Sequence, residues 1–154
     1  DTDKRFMTVN TPRFQGVCGE AGASAQLNDV SVKLLRTRGI ASVASLQKEK
    51  SISNAERLLI VYATNALNSG MTFADESMRK CLYFGGNPTL VETGRFRVEI
   101  RNRNAENLRL YSLRMNGARS GEIKPVSTAN GVFVAEIDTA KLPDGPALYF
   151  ELAK

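Results

Sequence analysis

The chain predicts an all-β protein, an antiparallel β-sandwich of jelly-roll-like character with about nine to eleven strands. Three observations carry this expectation. Apolar side chains recur at every second position: Val30, Val32 and Leu34 alternate with Ser31 and Lys33, and Phe96, Val98 and Ile100 alternate with Arg95, Arg97, Glu99 and Arg101. Such a period places the apolar set on one face of a strand. Turn-forming pairs stand between the runs, and no long segment of helical period intervenes to cover a parallel sheet.

From the N-terminus, Phe6 to Val9 and Phe14 to Gly19 flank an Asn10-Thr11-Pro12-Arg13 corner. Val30 to Leu34 follows the turn pair Asn28-Asp29. Ile40 to Leu46, Leu58 to Ala66, Thr89 to Glu92, Leu108 to Leu113 and Val132 to Ile137 share the β-branched and aromatic bias of strands, and Leu148, Phe150 and Leu152 again alternate with Tyr149 and Glu151. Ser51 to Arg57 is expected to form one helical turn, because Ser53 followed three residues later by Glu56 fits a capping box. Asn68 to Lys80 shows no strand period and reads as a long surface loop, a place where such folds put recognition. Gly85-Gly86-Asn87-Pro88, Asn116-Gly117, Asn130-Gly131 and the stretch Leu142 to Pro146 mark turns, and Asn116-Gly117 predicts a two-residue hairpin with positive φ.

At 154 residues the chain suits one domain, residues 1–154, with a single core. No apolar run approaches the roughly 20 residues of a membrane span, so no membrane partner is expected. The polar start Asp1-Thr2-Asp3-Lys4-Arg5 leads into no apolar signal core. Histidine is absent from the chain. That removes imidazole as general base, the Ser-His-Asp and Cys-His nucleophile pairs, and the commonest transition-metal ligand sets. Two cysteines, Cys18 and Cys81, are too few for a structural zinc site; they read as one disulfide or as two small buried hydrophobes. No metal and no cofactor is expected. The net charge of +5 is a modest excess that selects no partner by itself.

The strand with Thr11-Pro12-Arg13, the pair Gln15-Gly16 and the following strand resemble the start of the small β-sandwich domain that stands C-terminal to the (β/α)-barrel of several bacterial glycoside hydrolases. Further pieces follow in the same order. Ala41 to Leu46 is similar to the family's strand before a charged turn, and Arg57 to Met71 to its long strand ending in Asn-Thr-Gly-Met, here Asn68-Ser69-Gly70-Met71. Pro88-Thr89-Leu90-Val91-Glu92 resembles its Pro-x-Leu-x-Glu, Tyr111-Ser112-Leu113 with Asn116-Gly117 its Tyr-x-Leu and turn, and Leu148 to Leu152 its closing strand. Gln47, Ser69 and Cys18 depart from the pattern. The resemblance implies an accessory domain that is not itself an enzyme, secreted or periplasmic, with a polysaccharide or oligosaccharide and a catalytic barrel as partners. A structural or protein-interaction domain without glycan affinity is the alternative.

A sugar-binding module needs exposed aromatic platforms that stack on the apolar faces of pyranose rings, with polar neighbours for the hydroxyls. Tryptophan is absent. The candidates are Tyr83 and Phe84, Phe73 in the preceding loop and Tyr111 on the exposed face of its strand; against this, at least one of Tyr83 and Phe84 is expected to anchor its loop in the core. Arg13 reads either as a bidentate donor to a carboxylate or as a tie between two strands. No residue is assigned a catalytic role: acidic pairs such as Asp75 with Glu76 and Glu99 with Glu106 fall on solvent faces where nothing would shift a pKa. Arg95, Arg97 and Arg101 share the solvent face of one strand, with Arg103 and Arg109 following. This row reads as an anion stripe or as the charged guard of an edge strand, and the absence of an aromatic RNA-binding motif argues against direct nucleic-acid recognition.

Overall fold

The structure, a computed structural model, describes residues 5–154; the polar start Asp1 to Lys4 lies outside the described residues. The chain is an all-β antiparallel sandwich. Its strands are β1 (Met7–Asn10), β2 (Phe14–Gly19), β3 (Ser24–Gln26), β4 (Val30–Arg36), β5 (Gly39–Ser45), β6 (Arg57–Ala63), β7 (Ala66–Ser69), β8 (Thr72–Phe73), β9 (Cys81–Tyr83), β10 (Gly86–Val91), β11 (Arg95–Arg101), β12 (Arg109–Leu113), β13 (Arg119–Ile123), β14 (Ser127–Ala129), β15 (Val132–Asp138) and β16 (Tyr149–Ala153). A seven-stranded sheet, β1-β2-β5-β6-β16-β12-β13, faces a five-stranded sheet, β14-β15-β11-β4-β3, and two hairpins, β7 with β10 and β8 with β9, stand outside both.

Sixteen strands among the described residues exceed the nine to eleven expected. The surplus comprises short, polar or strongly turned pieces such as Ser24–Gln26, Thr72–Phe73, Cys81–Tyr83 and Ser127–Ala129, which carry too little alternation to announce themselves. Arg119–Ile123 is a strand because β12 lies beside it, pairing Leu110 with Ile123 and Tyr111 with Glu122.

The period-two pattern becomes three cross-strand rows on the inner face of the five-stranded sheet: Leu34, Phe96 and Ile137; Val32, Val98 and Ala135; Val30, Ile100 and Phe133. Opposite them stand the rows Val43, Ile60 and Phe150, and Leu58, Leu152 and Leu110. All of these side chains are buried. Phe96 bridges the layers, stacked on Tyr62 at 4.4 Å between ring centroids and tilted against Phe150 at 6.0 Å.

Two polar side chains from the seven-stranded sheet cross the core to the two ends of β4. Gln15 is fully buried on β2. Its Oε1 accepts the N–H groups of Asp29 and Val30 at 2.9 and 3.0 Å, and its Nε2 donates to the Thr11 carbonyl and the Asp29 carboxylate at 3.2 and 3.1 Å. At the other end, Tyr62 Oη donates to the Arg36 carbonyl at 2.9 Å. Burial pushes the Tyr62 phenol above its ordinary value, partly offset by Arg36 and reinforced by Glu92. Gly94 makes room for that phenol, since a Cβ there would lie 2.2 Å from Tyr62 Oη.

The turns correct two expectations. Asn116-Gly117 does join β12 to β13, but through the three-residue loop Met115-Asn116-Gly117, closed by Arg114 N–H on the Ala118 carbonyl and Gly117 N–H on the Arg114 carbonyl, both 2.9 Å. Only Gly117 has positive φ; Asn116 instead accepts the Ala118 N–H on its side chain. The two-residue hairpin is Asn130-Gly131, with φ of 55° and 73°, joining β14 to β15. Ser51 to Arg57 makes a single turn with a helical hydrogen bond but without the expected capping box. Ala55 N–H reaches the Ser51 carbonyl at 2.9 Å, while Ser53 pairs with Ser51 and Glu56 with Lys50 and Lys154. The buried Ile52 and Ala55 explain its shape: their carbonyls accept from the buried Asn102 side chain, which ties this turn to the end of β11.

Gln15→Ala leaves the Asp29 and Val30 N–H groups without their buried acceptor. The expected cost is about 2–4 kcal/mol, read as a lower urea midpoint with an unchanged slope.

Candidate functional site

Between β6 and β11 the chain leaves the sandwich as an arm. The stretch Asn68 to Lys80, expected as a long surface loop, contributes part of β7 and all of β8 to it. The arm is held by short polar contacts. Asn68 Nδ2 donates to the Phe84 carbonyl at 3.1 Å and its Oδ1 accepts from Thr89 Oγ1 at 3.0 Å; Ser69 Oγ donates to the Pro88 carbonyl at 2.7 Å. Gly85 turns at φ 65°, and a Cβ there would stand 2.3 Å from the Ser69 carbonyl oxygen. The bend is therefore packed against β7 at backbone distance, a closeness only glycine allows.

That bend presents Leu82, Tyr83 and Phe84 outward, with 62%, 62% and 72% of their surface exposed. The expectation that one of Tyr83 and Phe84 anchors the loop in the core is corrected: the anchoring is done by Asn68, Ser69 and Gly85, which frees both rings. Phe73 on β8 is half-buried and pairs with Cys81 across the β8–β9 hairpin, with Thr72 opposite Tyr83. Three of the five residues singled out in the sequence thus share one arm. Exposed Arg79 and Lys80 stand between Phe73 and Tyr83.

The other two lie elsewhere. Tyr111 sits on the outer face of the seven-stranded sheet, but Arg119 covers its ring with the guanidinium carbon 4.1 Å from the centroid, so that face is not a free platform. Arg119 is aimed by Glu151, whose Oε2 accepts from Arg119 Nε at 2.6 Å and whose Oε1 accepts from Arg57 Nε at 2.5 Å. Glu151 is only 5% exposed. Burial would raise its pKa, but hydrogen bonds and charge from Arg57 and Arg119 together outweigh this and hold it below the ordinary 4.5. Arg13 is exposed and meets no carboxylate among the described residues: its Nη2 donates to the Gln47 carbonyl at 3.3 Å and its own carbonyl accepts the Ser45 N–H. These contacts fasten the Pro12-Arg13 corner to the end of β5.

Cys18 and Cys81 are both free and half-buried, neither bridged to each other nor sealed in the core. Cys81 Sγ lies 3.2 Å from the Tyr83 carbonyl. The arginine row keeps its solvent face but not its edge: β11 is the central strand of its sheet. Arg95 pairs with Glu136 and Arg97 with Glu99, while Arg101 donates to the Asn28 carbonyl. The row is therefore largely neutralised by its own sheet. Beside it, Ser24, Gln26, Ser31, Lys33, Arg97 and Glu99 line a shallow hollow of about 460 Å3, which the sequence reading missed because Ser24–Gln26 has no strand period. Asp75 departs from the unshifted behaviour expected of it: hydrogen bonds from the Ser77 hydroxyl and N–H hold its pKa down. Glu56 is lowered as well, by Lys154 and then Lys50.

Searched against family models, curated proteins and solved structures, the chain matches none of them.

Because the Glu151 pKa is depressed on folding, its contribution to stability is present above pH 4.5 and is lost as pH falls through the lower folded value. Thermal midpoints measured from about pH 6 to pH 3 are expected to fall more steeply for the natural chain than for Glu151→Gln. Equal slopes would mean that Arg57 and Arg119 do not hold the carboxylate.

Proposed function

We propose that the chain is a non-catalytic recognition domain that binds polysaccharide or oligosaccharide through Tyr83 and Phe84. One observation carries the reading: two adjacent aromatic side chains stand exposed on a bend whose backbone is fastened by Asn68, Ser69 and Gly85. Leaving such rings in water is unfavourable unless they meet a ligand, and a pre-set bend lowers the ordering cost when they do. Pyranose faces stack on rings of this kind. The resemblance to accessory domains of glycoside hydrolases agrees with this reading and adds the expectation of a secreted or periplasmic setting beside a catalytic barrel. The reading also fits the acids: the described carboxylates with displaced pKa values, Glu56, Asp75 and Glu151, are all shifted down, whereas a glycosidase acid is shifted up.

A second reading has its own observation. Met7, Phe14 and Ile40 stand exposed together with half-buried Cys18, Leu59 and Val61 on the outer face of the seven-stranded sheet. A catalytic barrel or other protein seated there would make the chain a supporting domain.

Affinity electrophoresis against a panel of soluble neutral and acidic polysaccharides separates the two. Glycan binding predicts retardation, with Tyr83→Ala and Phe84→Ala each weakening it about three- to tenfold while the fold is retained. No retardation on any glycan rejects this reading and leaves the supporting role.

A further inference from the structure

The arm carries a second feature that the aromatic pair does not use. Among the described residues β10 pairs with β7 alone, so its other edge has no strand beside it there. The register shows which backbone groups point there. Glu92 N–H donates to the Asn65 carbonyl at 2.9 Å, and Leu90 opposite Leu67 lies two residues along. Hydrogen-bonded and non-bonded pairs alternate in an antiparallel ladder. Leu90 and Glu92 therefore turn their N–H and C=O groups to β7, and Thr89 and Val91 turn theirs away.

Along this free edge runs a groove of about 390 Å3, with Leu113 to Met115 and Pro146 to Leu148 as its far wall. Every residue from Thr89 to Thr93 lines it. A strand that shows a groove one of its faces contributes alternate residues only. Five in succession mean that the groove runs along the edge. Its walls are mostly apolar, with Leu90 57% and Met115 78% exposed. Glu92 and Arg114 also line it, and neither is ion-paired among the described residues.

We propose that this groove is a strand-addition site: it takes an extended segment of a partner polypeptide, hydrogen-bonded to Thr89 and Val91 as a third strand beside β10. A row of free N–H and C=O groups at strand spacing is matched by another main chain; sugar hydroxyls do not repeat at that spacing, and a lipid surface supplies no donors. The unpaired Glu92 and Arg114 add the charge requirement, a basic and an acidic side chain on the incoming segment, with apolar side chains between them to cover Leu90 and Met115. Such an edge is a known hazard for unspecific pairing. Here a shaped and charged wall restricts what can add to it. The inference stands apart from the glycan reading, since neither Tyr83 nor Phe84 lines the groove.

The test uses the whole chain and synthetic peptides of about eight residues, valine alternating with threonine, carrying one lysine and one glutamate in either order. Each is also made in two N-methylated forms that block alternate N–H groups. Fluorescence anisotropy is expected to show binding of at least one charge order. One N-methylated form should lose about tenfold or more in affinity while the other keeps it. Hydrogen exchange at the Thr89 and Val91 amides should slow in the complex, with Leu90 unchanged. Val91→Pro removes an N–H that β7 does not use, so the chain should keep its urea midpoint and lose the peptide. Three results overturn the proposal: no binding at about 1 mM, equal binding of the two N-methylated forms, or unchanged exchange at Thr89 and Val91 in the bound state. Equal binding would mean that side chains pack in the groove without a ladder.

Discussion

Both ends of β4 are held by side chains from the opposite sheet, and the alignment of the sandwich depends on that cross-tie. Apolar burial drives the two sheets together, but it is non-directional and tolerates sliding. Gln15 does not: with four hydrogen-bond partners inside the protein, any displacement of β2 against Asp29 and Val30 strands buried polar groups. Tyr62 imposes the same condition at Arg36, under a glycine that alone leaves space for its ring. Between these fixed points the rows Leu34-Phe96-Ile137 and Val43-Ile60-Phe150 meet with their aromatic rings in contact.

A body fastened in this way can carry an arm that buries little. The hairpin of β7 and β10 leaves β6 and rejoins the fold at β11, and its own stability rests on local polar contacts and on close backbone approach at Gly85. That division shows in the surface of the arm. Tyr83 and Phe84 are not needed for packing and stand exposed, and the outer edge of β10 meets no strand among the described residues. The paired charges elsewhere work in the other direction: Glu136 and Glu99 tie up Arg95 and Arg97 of the row that the sequence offers as an anion stripe, and Glu151 holds Arg119 over the ring of Tyr111.

Much of the sandwich was legible from the chain. The alternating runs at Val30 to Leu34, Phe96 to Ile100 and Leu148 to Leu152 became strands with their apolar sets inward, because a period of two has one way to bury its apolar face. Of the arm, Thr89 to Glu92 was legible as a strand, whereas Asn68 to Lys80 was legible only as residues without a period. The arm's strands exist through partners far along the chain, Thr89 beside Asn68 and Tyr83 beside Thr72, and local pattern carries no trace of such pairing. The exposure of Tyr83 and Phe84 was misjudged for a related reason. Aromatic residues usually bury, and the contacts that made burial unnecessary come from Asn68 and Ser69, more than a dozen residues earlier.

The sequence by itself determined the class of fold, the inward faces of its main strands, the loss of imidazole chemistry and the positions of its turns, since each follows from residue type and near spacing. Tertiary structure decided which turn became the two-residue hairpin, that the arginine row lies mid-sheet rather than on an edge, that Tyr111 is covered, and that one edge of β10 is open. Those outcomes depend on which strand lies beside which, and pairing across tens of residues is chosen by the packing of the whole rather than by any one segment.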